Sequence, residues 1–376
     1  MINTRSPAVP GEDDTSVSIT LIRAISIIAV IMENYFTALP WHNLHSFSDE
    51  FASILAKVSG TFVHVFFVLS GFGLTLSYLR QPPPSWADWA RHRFLRILVP
   101  YWIAVIATFA LANLLHYWVP DGGQPAWSWT ALLAYLSFTR NFYSPGWTLN
   151  WTLWFMPVIV GLYILFPLLI RVLKRCGLAG LLAVSLLVAN GSVLLCVYVG
   201  YPLDHQSTLP VFFVDEFAVG MALGSIVHGR PGVIRQLMGF RYFVLGAGFY
   251  VLSFFIVSYQ ALGEGSSNYN DIFTAIGLFL MLLCVCRWIS ATFSPGLLKL
   301  FQGVSKSSYF MYLLHGPIIY YALKPWLGAF FRADVNAMLM VLSAFIYVMF
   351  LYMIVEGTTL LVRRAPRCRL EKSITR

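Results

Sequence analysis

An all-α integral membrane protein, with about ten transmembrane helices in a single bundle and both termini inside, is the fold class this sequence predicts. Composition is the first ground. Hydrophobic residues make up 58% of the 376 and charged residues 11%, with mean hydropathy +0.72, whereas a soluble domain carries about 25% charged residues. The second is a series of ten apolar runs, each near the twenty or so residues that cross a bilayer core. The third is charge asymmetry. Threading those runs alternately leaves twenty Lys and Arg inside and only Lys57, Arg140, Lys324 and Arg332 outside, with Arg23 within the membrane. A one-span error would scramble that bias. Anionic lipid headgroups account for the net charge of +9, so no nucleic-acid partner is called for.

Residues 1–16 form a polar cytoplasmic tail. The first apolar run is too long for the core of a signal peptide, so no cleavable leader is expected. The ten-helix domain occupies 17–362, and 363–376 is a basic cytoplasmic tail. Span one, 17–39, holds Arg23 and Asn34, eleven residues apart. On a helix that is about three turns, which puts both on one face roughly 16 Å apart. An arginine at this depth is costly without a function, and Glu33 adds a carboxylate beside Asn34. The three suggest an internal site.

Span two, 54–79, contains His64 and the small pair Ser70-Gly71, which allows close helix approach or a local unwinding that exposes backbone to a ligand. Before span three, 97–118, lie Arg91, His92, Arg93 and Arg96. Arg93 and Arg96 share a helix face. They either anchor the segment at the cytoplasmic surface or clamp a phosphate-rich donor, since guanidinium groups bind phosphate bidentately. The loop 119–150 has WSW and PGW punctuation suited to a structured lid. Its apolar piece WTALLAYLSF, 129–138, is read as a half-helix in or on the membrane.

Span four, 151–171, opens with Trp151 and Trp154 on one face; belt anchoring and stacking on a sugar both fit. Span five is 177–199. Span six, 209–228, carries Asp215 and Glu216 at membrane depth, and Glu356 lies similarly in span ten, 336–362. Each is expected to pair with an arginine or a backbone donor. Spans seven and eight are 239–259 and 272–292. Span nine, 308–330, holds Tyr309 and His315, the latter followed by a helix-breaking Gly316-Pro317. Cys176, Cys196, Cys284, Cys286 and Cys368 show neither zinc nor disulfide spacing. No internal repeat is evident, which weakens a transporter built from inverted halves.

Several stretches, taken in order, resemble the acyltransferase-3 family of ten-helix membrane acyltransferases. They are Arg23 in LIRAISIIAVI, FFVLSGF (66–72), RHRFLRILVPYW (91–102), WTLWFMPVIVGLYILFP (151–167), EFAVGMALG (216–224), SSYFMYLLH (307–315), and Tyr352 with VEG (355–357). The resemblance implies transfer of an acyl group, commonly acetyl from acetyl-CoA as co-substrate, to a hydroxyl of a cell-surface polysaccharide or lipid-linked saccharide. It implies a bacterial inner-membrane setting, with no permanently bound cofactor and no metal. Arg23 would orient the thioester, and Arg91, Arg93 and Arg96 would hold donor phosphates. Ser70 and Gly71 would leave room for the pantetheine arm, and Trp151, Trp154 and Tyr309 would hold the acceptor.

The family's signature pairs the first-helix arginine with a histidine eleven residues on, and here that position is Asn34. An amide accepts no proton at neutral pH. Three readings follow: a natural variant whose base is Glu33, His64 or His315, a family member that binds glycan without turnover, or a deliberate His-to-Asn change.

Overall fold

A computed structural model describes residues 12–38, 47–118, 127–142, 149–200, 209–258, 267–324 and 337–364. Among these the regular structure is entirely helical: α1 Glu12–Ala38, α2 Phe47–Gly60, α3 Val63–Arg80, α4 Trp86–Trp118, α5 Trp129–Leu136, α6 Phe155–Tyr198, α7 Val214–Gly229, α8 Val233–Leu237, α9 Phe240–Ser258, α10 Ser267–Thr292, α11 Pro295–Pro317 and α12 Ala337–Arg364. The expected tails, 1–16 and 363–376, lie outside the described residues for most of their length.

Seven described helical segments are long and apolar enough to cross a membrane: Thr15–Ala38, Ser53–Arg80, Trp86–His116, Trp151–Cys196, Pro210–Gly229, Asp271–Thr292 and Leu339–Leu360. The difference from ten has identifiable sources. Trp151–Cys196 covers two expected spans, and its helix α6 contains Gly177 at φ 69°, ψ −169°. That left-handed geometry suits glycine and breaks the hydrogen-bond ladder. Phe240–Phe255 is apolar but shorter. α11 places Lys299 and Lys306 among its residues, and beyond Pro317 it continues as a π-helical stretch, Ile318–Leu323. The expected break at Gly316-Pro317 is therefore a widening of the helix, since proline removes one donor from the ladder without ending it.

α5 is eight residues long, about 12 Å, and too short to cross. It starts where the Ser128 hydroxyl accepts from the Ala131 N–H and stops near Phe138, at φ 61°. It is tied inward by Tyr101, whose hydroxyl donates to the Tyr135 carbonyl at 2.9 Å, and by Trp102, whose indole donates to the Leu136 carbonyl at 3.1 Å.

The tightest seam lies between α3 and α7. A Cβ on Gly71 would meet the Phe217 carbonyl oxygen, and one on Gly220 would meet that of Val68. A Cβ on Gly224 would stand 2.8 Å from the Phe72 carbonyl oxygen. Small residues here let backbones approach, as packing between lipid-embedded helices favours. α1 is bounded on one side by a core shared with α11 and α12 (Ile27, Ile31, Met311, Leu351) and on the other by a core shared with α3 and α10 (Leu21, Ile22, Val68, Leu283). The face bearing Arg23 and Asn34 thus runs through the middle of the bundle.

Candidate active site

Arg23 remains accessible in this buried setting because its side chain reaches two cavities. One, of about 170 Å³, is lined by Arg23, Phe66, Leu69, Ser70, Gly73, Leu74, Arg93 and Tyr163. The other, of about 240 Å³, is lined by Ser16, Val17, Thr20, Arg23, Gln302, Ser305 and Lys306. In the first, helices α1, α3, α4 and α6 each contribute a polar group. The Tyr163 phenol is paired with the Ser70 hydroxyl and lies in the field of both Arg93 and Arg23. Arg96 is also close enough to act electrostatically on Arg23. Among the described residues none of these three arginines forms an ion pair. A cavity lined by unneutralised guanidinium groups suits a polyanionic ligand.

Asn34, at the other end of the α1 face, is 4% exposed. Its amide NH2 donates to the Glu33 carboxylate at 2.5 Å and to the Val30 carbonyl at 2.8 Å. Its own oxygen, Oδ1, is buried without a partner. Glu33 is half-buried and packs against Gly60, where a Cβ would stand 3.2 Å from the Glu33 side chain. Tyr320 lies within its electrostatic reach and pairs with Trp151, the two rings meeting edge-on at 5.9 Å. Glu33, Asn34, Tyr320 and Trp151 therefore share one end of the bundle.

His315 is fully buried. Its Nδ1–H donates to the Tyr312 carbonyl at 2.6 Å, which fixes the tautomer and leaves Nε2 as a lone-pair nitrogen without a partner. The Tyr347 hydroxyl donates to the His315 carbonyl at 2.9 Å, and Tyr347 stacks on Tyr35 of α1 at 5.5 Å. Close by, the Asn150 side-chain oxygen accepts from the Thr152 N–H and hydroxyl, while the Asn150 NH2 is buried without a partner. Both side chains press on Gly316, where a Cβ would lie 2.5 Å from the Asn150 oxygen. Only glycine fits beside His315 at that contact.

His64 has a different setting. Its Nδ1 faces the Glu216 carboxylate at 3.0 and 3.1 Å, and its Nε2 stands 3.6 Å from Asp271. Nδ1 is thereby engaged by Glu216, while Nε2 stands beyond hydrogen-bond range of Asp271. Asp215 accepts from the Glu216 N–H, and Glu356 accepts from the Ser307 hydroxyl at 3.3 Å. Of the carboxylates expected to pair with an arginine or a backbone donor, Asp215 thus finds a backbone donor, Glu216 a histidine and Glu356 a hydroxyl.

The remaining expected residues separate. Arg91 is exposed on α4 and lines neither cavity, whereas Arg93 faces the first. Ser70 faces that cavity, while Gly71 abuts Phe217 on α7. α3 is helical from Val63 to Arg80, so no unwinding exposes its backbone. Trp154 packs against Phe155 and Phe213. The Tyr309 hydroxyl donates to the Ile97 carbonyl at 2.6 Å and lies near Tyr163, toward the arginine cavity and away from Trp151.

Sequence reasoning missed Tyr163, Asn150, Asp271 and the burial of Arg140. Arg140 is fully enclosed, with its guanidinium 5.3 Å from the centre of the Tyr135 ring. A lone arginine among external aromatic residues was the available signal.

Comparison with curated proteins gives no match, nor does comparison with solved structures. The acyltransferase-3 family model, described as an acyltransferase domain, matches residues 16–357, from the second turn of α1 to the end of the Tyr352–Gly357 stretch. With all but the ends of the chain covered, and with the arginine cavity and the Glu33–Asn34 pair at opposite ends of one helix face inside that region, the chain belongs to the acyltransferase-3 family of membrane acyltransferases.

Proposed function

We propose that the protein is an O-acyltransferase of the bacterial inner membrane that moves an acyl group, of which acetyl is the simplest case, from acyl-CoA to a hydroxyl of a cell-surface or lipid-linked saccharide. The observation that carries this reading is the cavity where Arg23, Ser70, Arg93 and Tyr163 converge, on the side that the distribution of basic residues assigns to the cytosol. Its cations match the phosphates of a cytosolic donor. In this reading the chain makes ten passages with both termini inside: the seven long segments, a second passage within α6 after Gly177, and passages at α9 and α11. The ten-helix domain of 17–362 then works as one catalytic unit.

In this reading Arg93, with Arg96 beside it, holds the donor phosphates and Arg23 directs the pantetheine arm along α1 toward Asn34, roughly 16 Å away. Glu33 takes the place of the missing histidine base. The Asn34 amide, donating at 2.5 Å, fixes the carboxylate in position. The acceptor hydroxyl attacks the thioester carbon, a C–O bond forms, and its proton passes to Glu33. The C–S bond breaks, and the departing sulfur recovers that proton as free CoA. Trp151 and Tyr320 border this end and offer ring faces to a sugar.

A second reading, a family member that binds glycan or lipid without turnover, draws on Asn34 itself, which cannot carry a proton. Acyl-CoA binding to purified protein is the direct test of the donor cavity. Replacing Arg93 by Ala is expected to weaken binding about ten- to hundredfold, the effect of losing a charged hydrogen bond of about 1.5–3 kcal/mol. Unchanged affinity in Arg93→Ala would remove the phosphate assignment.

A further inference from the structure

The cluster around His64 gathers several acidic groups in a largely buried setting. Glu216 is fully buried, Asp215 is 5% exposed, and the His64 and Asp271 side chains are 13% and 18% exposed. Phe67 and Phe213 place their rings 6.4 and 6.2 Å from the imidazole. Three carboxylates thus meet a single imidazole, and no lysine or arginine contributes among the described residues. Even doubly protonated, His64 supplies two N–H donors and one positive charge. Ionised carboxylates in an apolar interior are expensive, and proteins resolve them with a counter-charge, with a bound cation or by holding a proton.

The donor atoms are arranged for the second solution. One ligand atom each from His64, Glu216 and Asp271 lies within 4.8 Å of the others. Tetrahedral coordination with bonds of about 2.1 Å sets ligand atoms about 3.4 Å apart; Nδ1 of His64 lies 3.0 Å from Glu216, while Asp271 stands 3.6 Å from the other ring nitrogen, so one ion would draw the Asp271 carboxylate and a single imidazole nitrogen together. Small rotations of the side chains close the remainder. The three residues come from α3, α7 and α10, so their convergence depends on the tertiary fold. α3 and α7 are already locked by the Gly71 and Gly220 contacts, which hold two of the ligands in fixed relation.

We propose that His64, Glu216 and Asp271 form a binding site for a divalent transition-metal ion of the zinc or manganese class. One imidazole nitrogen with two carboxylates favours such an ion over calcium or magnesium, which take oxygen-rich shells. Asp215 lies just outside the ligand set, its carboxylate occupied by the Glu216 N–H. The ion ties α3, α7 and α10 together beside Trp154, which packs on Phe213. This site is independent of the acyl-transfer reading, since none of its ligands lines the arginine cavities.

The test uses full-length protein in detergent, stripped with EDTA and then reloaded with ZnCl2, MnCl2, MgCl2 or CaCl2 in turn. Metal content and unfolding temperature are measured for each sample. About one Zn2+ or Mn2+ per chain is expected, with the unfolding temperature falling on stripping and recovering on reloading. Asp271→Asn and Glu216→Gln conserve volume, and each is expected to weaken metal affinity at least about tenfold; His64→Ala removes the nitrogen ligand altogether. Unaltered elution in size exclusion shows that a variant is folded. The proposal is overturned if stripped protein takes up no stoichiometric Zn2+ or Mn2+, if Mg2+ or Ca2+ restores stability equally well, or if folded variants bind zinc like the parent.

Discussion

Position 34 concentrates the chemistry of the first helix. A histidine there would present its own base, whereas Asn34 offers an amide that donates to Glu33 at 2.5 Å and leaves Oδ1 buried without a partner. The carboxylate next door is half-buried rather than enclosed. His315 has a free Nε2 but is wholly buried under Tyr312, Tyr347 and the Asn150–Gly316 contact. In the proposed reaction the base is therefore Glu33. Glu33→Gln keeps the volume and a hydrogen-bonding group but cannot accept the proton, so kcat for acyl transfer should fall about 10²–10⁴-fold with little change in KM for acyl-CoA. Equal losses in His315→Gln with full activity in Glu33→Gln would transfer the role to His315.

Between residue and bundle, helix packing decides which side chains meet. The Ser70-Gly71 pair was legible as a place of close approach, and the structure divides its labour: Ser70 faces the cavity and Gly71 faces the Phe217 carbonyl. Adjacent residues on a helix point about 100° apart, so this split follows from helical geometry once α7 is in place. Gly220→Leu should destabilise the protein by about 1–3 kcal/mol, the range for overpacking a tight interior, read as a lower unfolding temperature in detergent. Gly248→Ala in α9, with nothing within 4 Å of the added Cβ, serves as the comparison and should be neutral or slightly stabilising, since alanine favours helix over glycine. A loss at Gly248 as large as at Gly220 would contradict the seam.

At the scale of the whole molecule, local signals carried far and tertiary ones did not. Arg23 and Asn34 could be placed on one face from their spacing alone, and Arg93 could be singled out because cations near a span boundary face either lipid or ligand. Tyr163 could not, because its role depends on α6 lying against α3, some ninety residues away in sequence between Ser70 and Tyr163. Asp271 was hidden for the same reason, as its partner His64 belongs to another helix. The described helices depart from the expected ten where α6 runs on through the basic stretch to the turn at Gly177, and at α11, where lysines interrupt an apolar run. The central claim, acyl transfer from CoA through a site whose arginine is present and whose histidine position holds Asn34, is tested most directly by CoA release from acetyl-CoA in the presence of saccharide acceptors. Purified protein should release CoA in an acceptor-dependent way, and Asn34→His should raise that rate by supplying a base at the same helical position. Acyl-CoA that neither binds nor yields CoA, in the parent chain and in Asn34→His alike, would contradict the account.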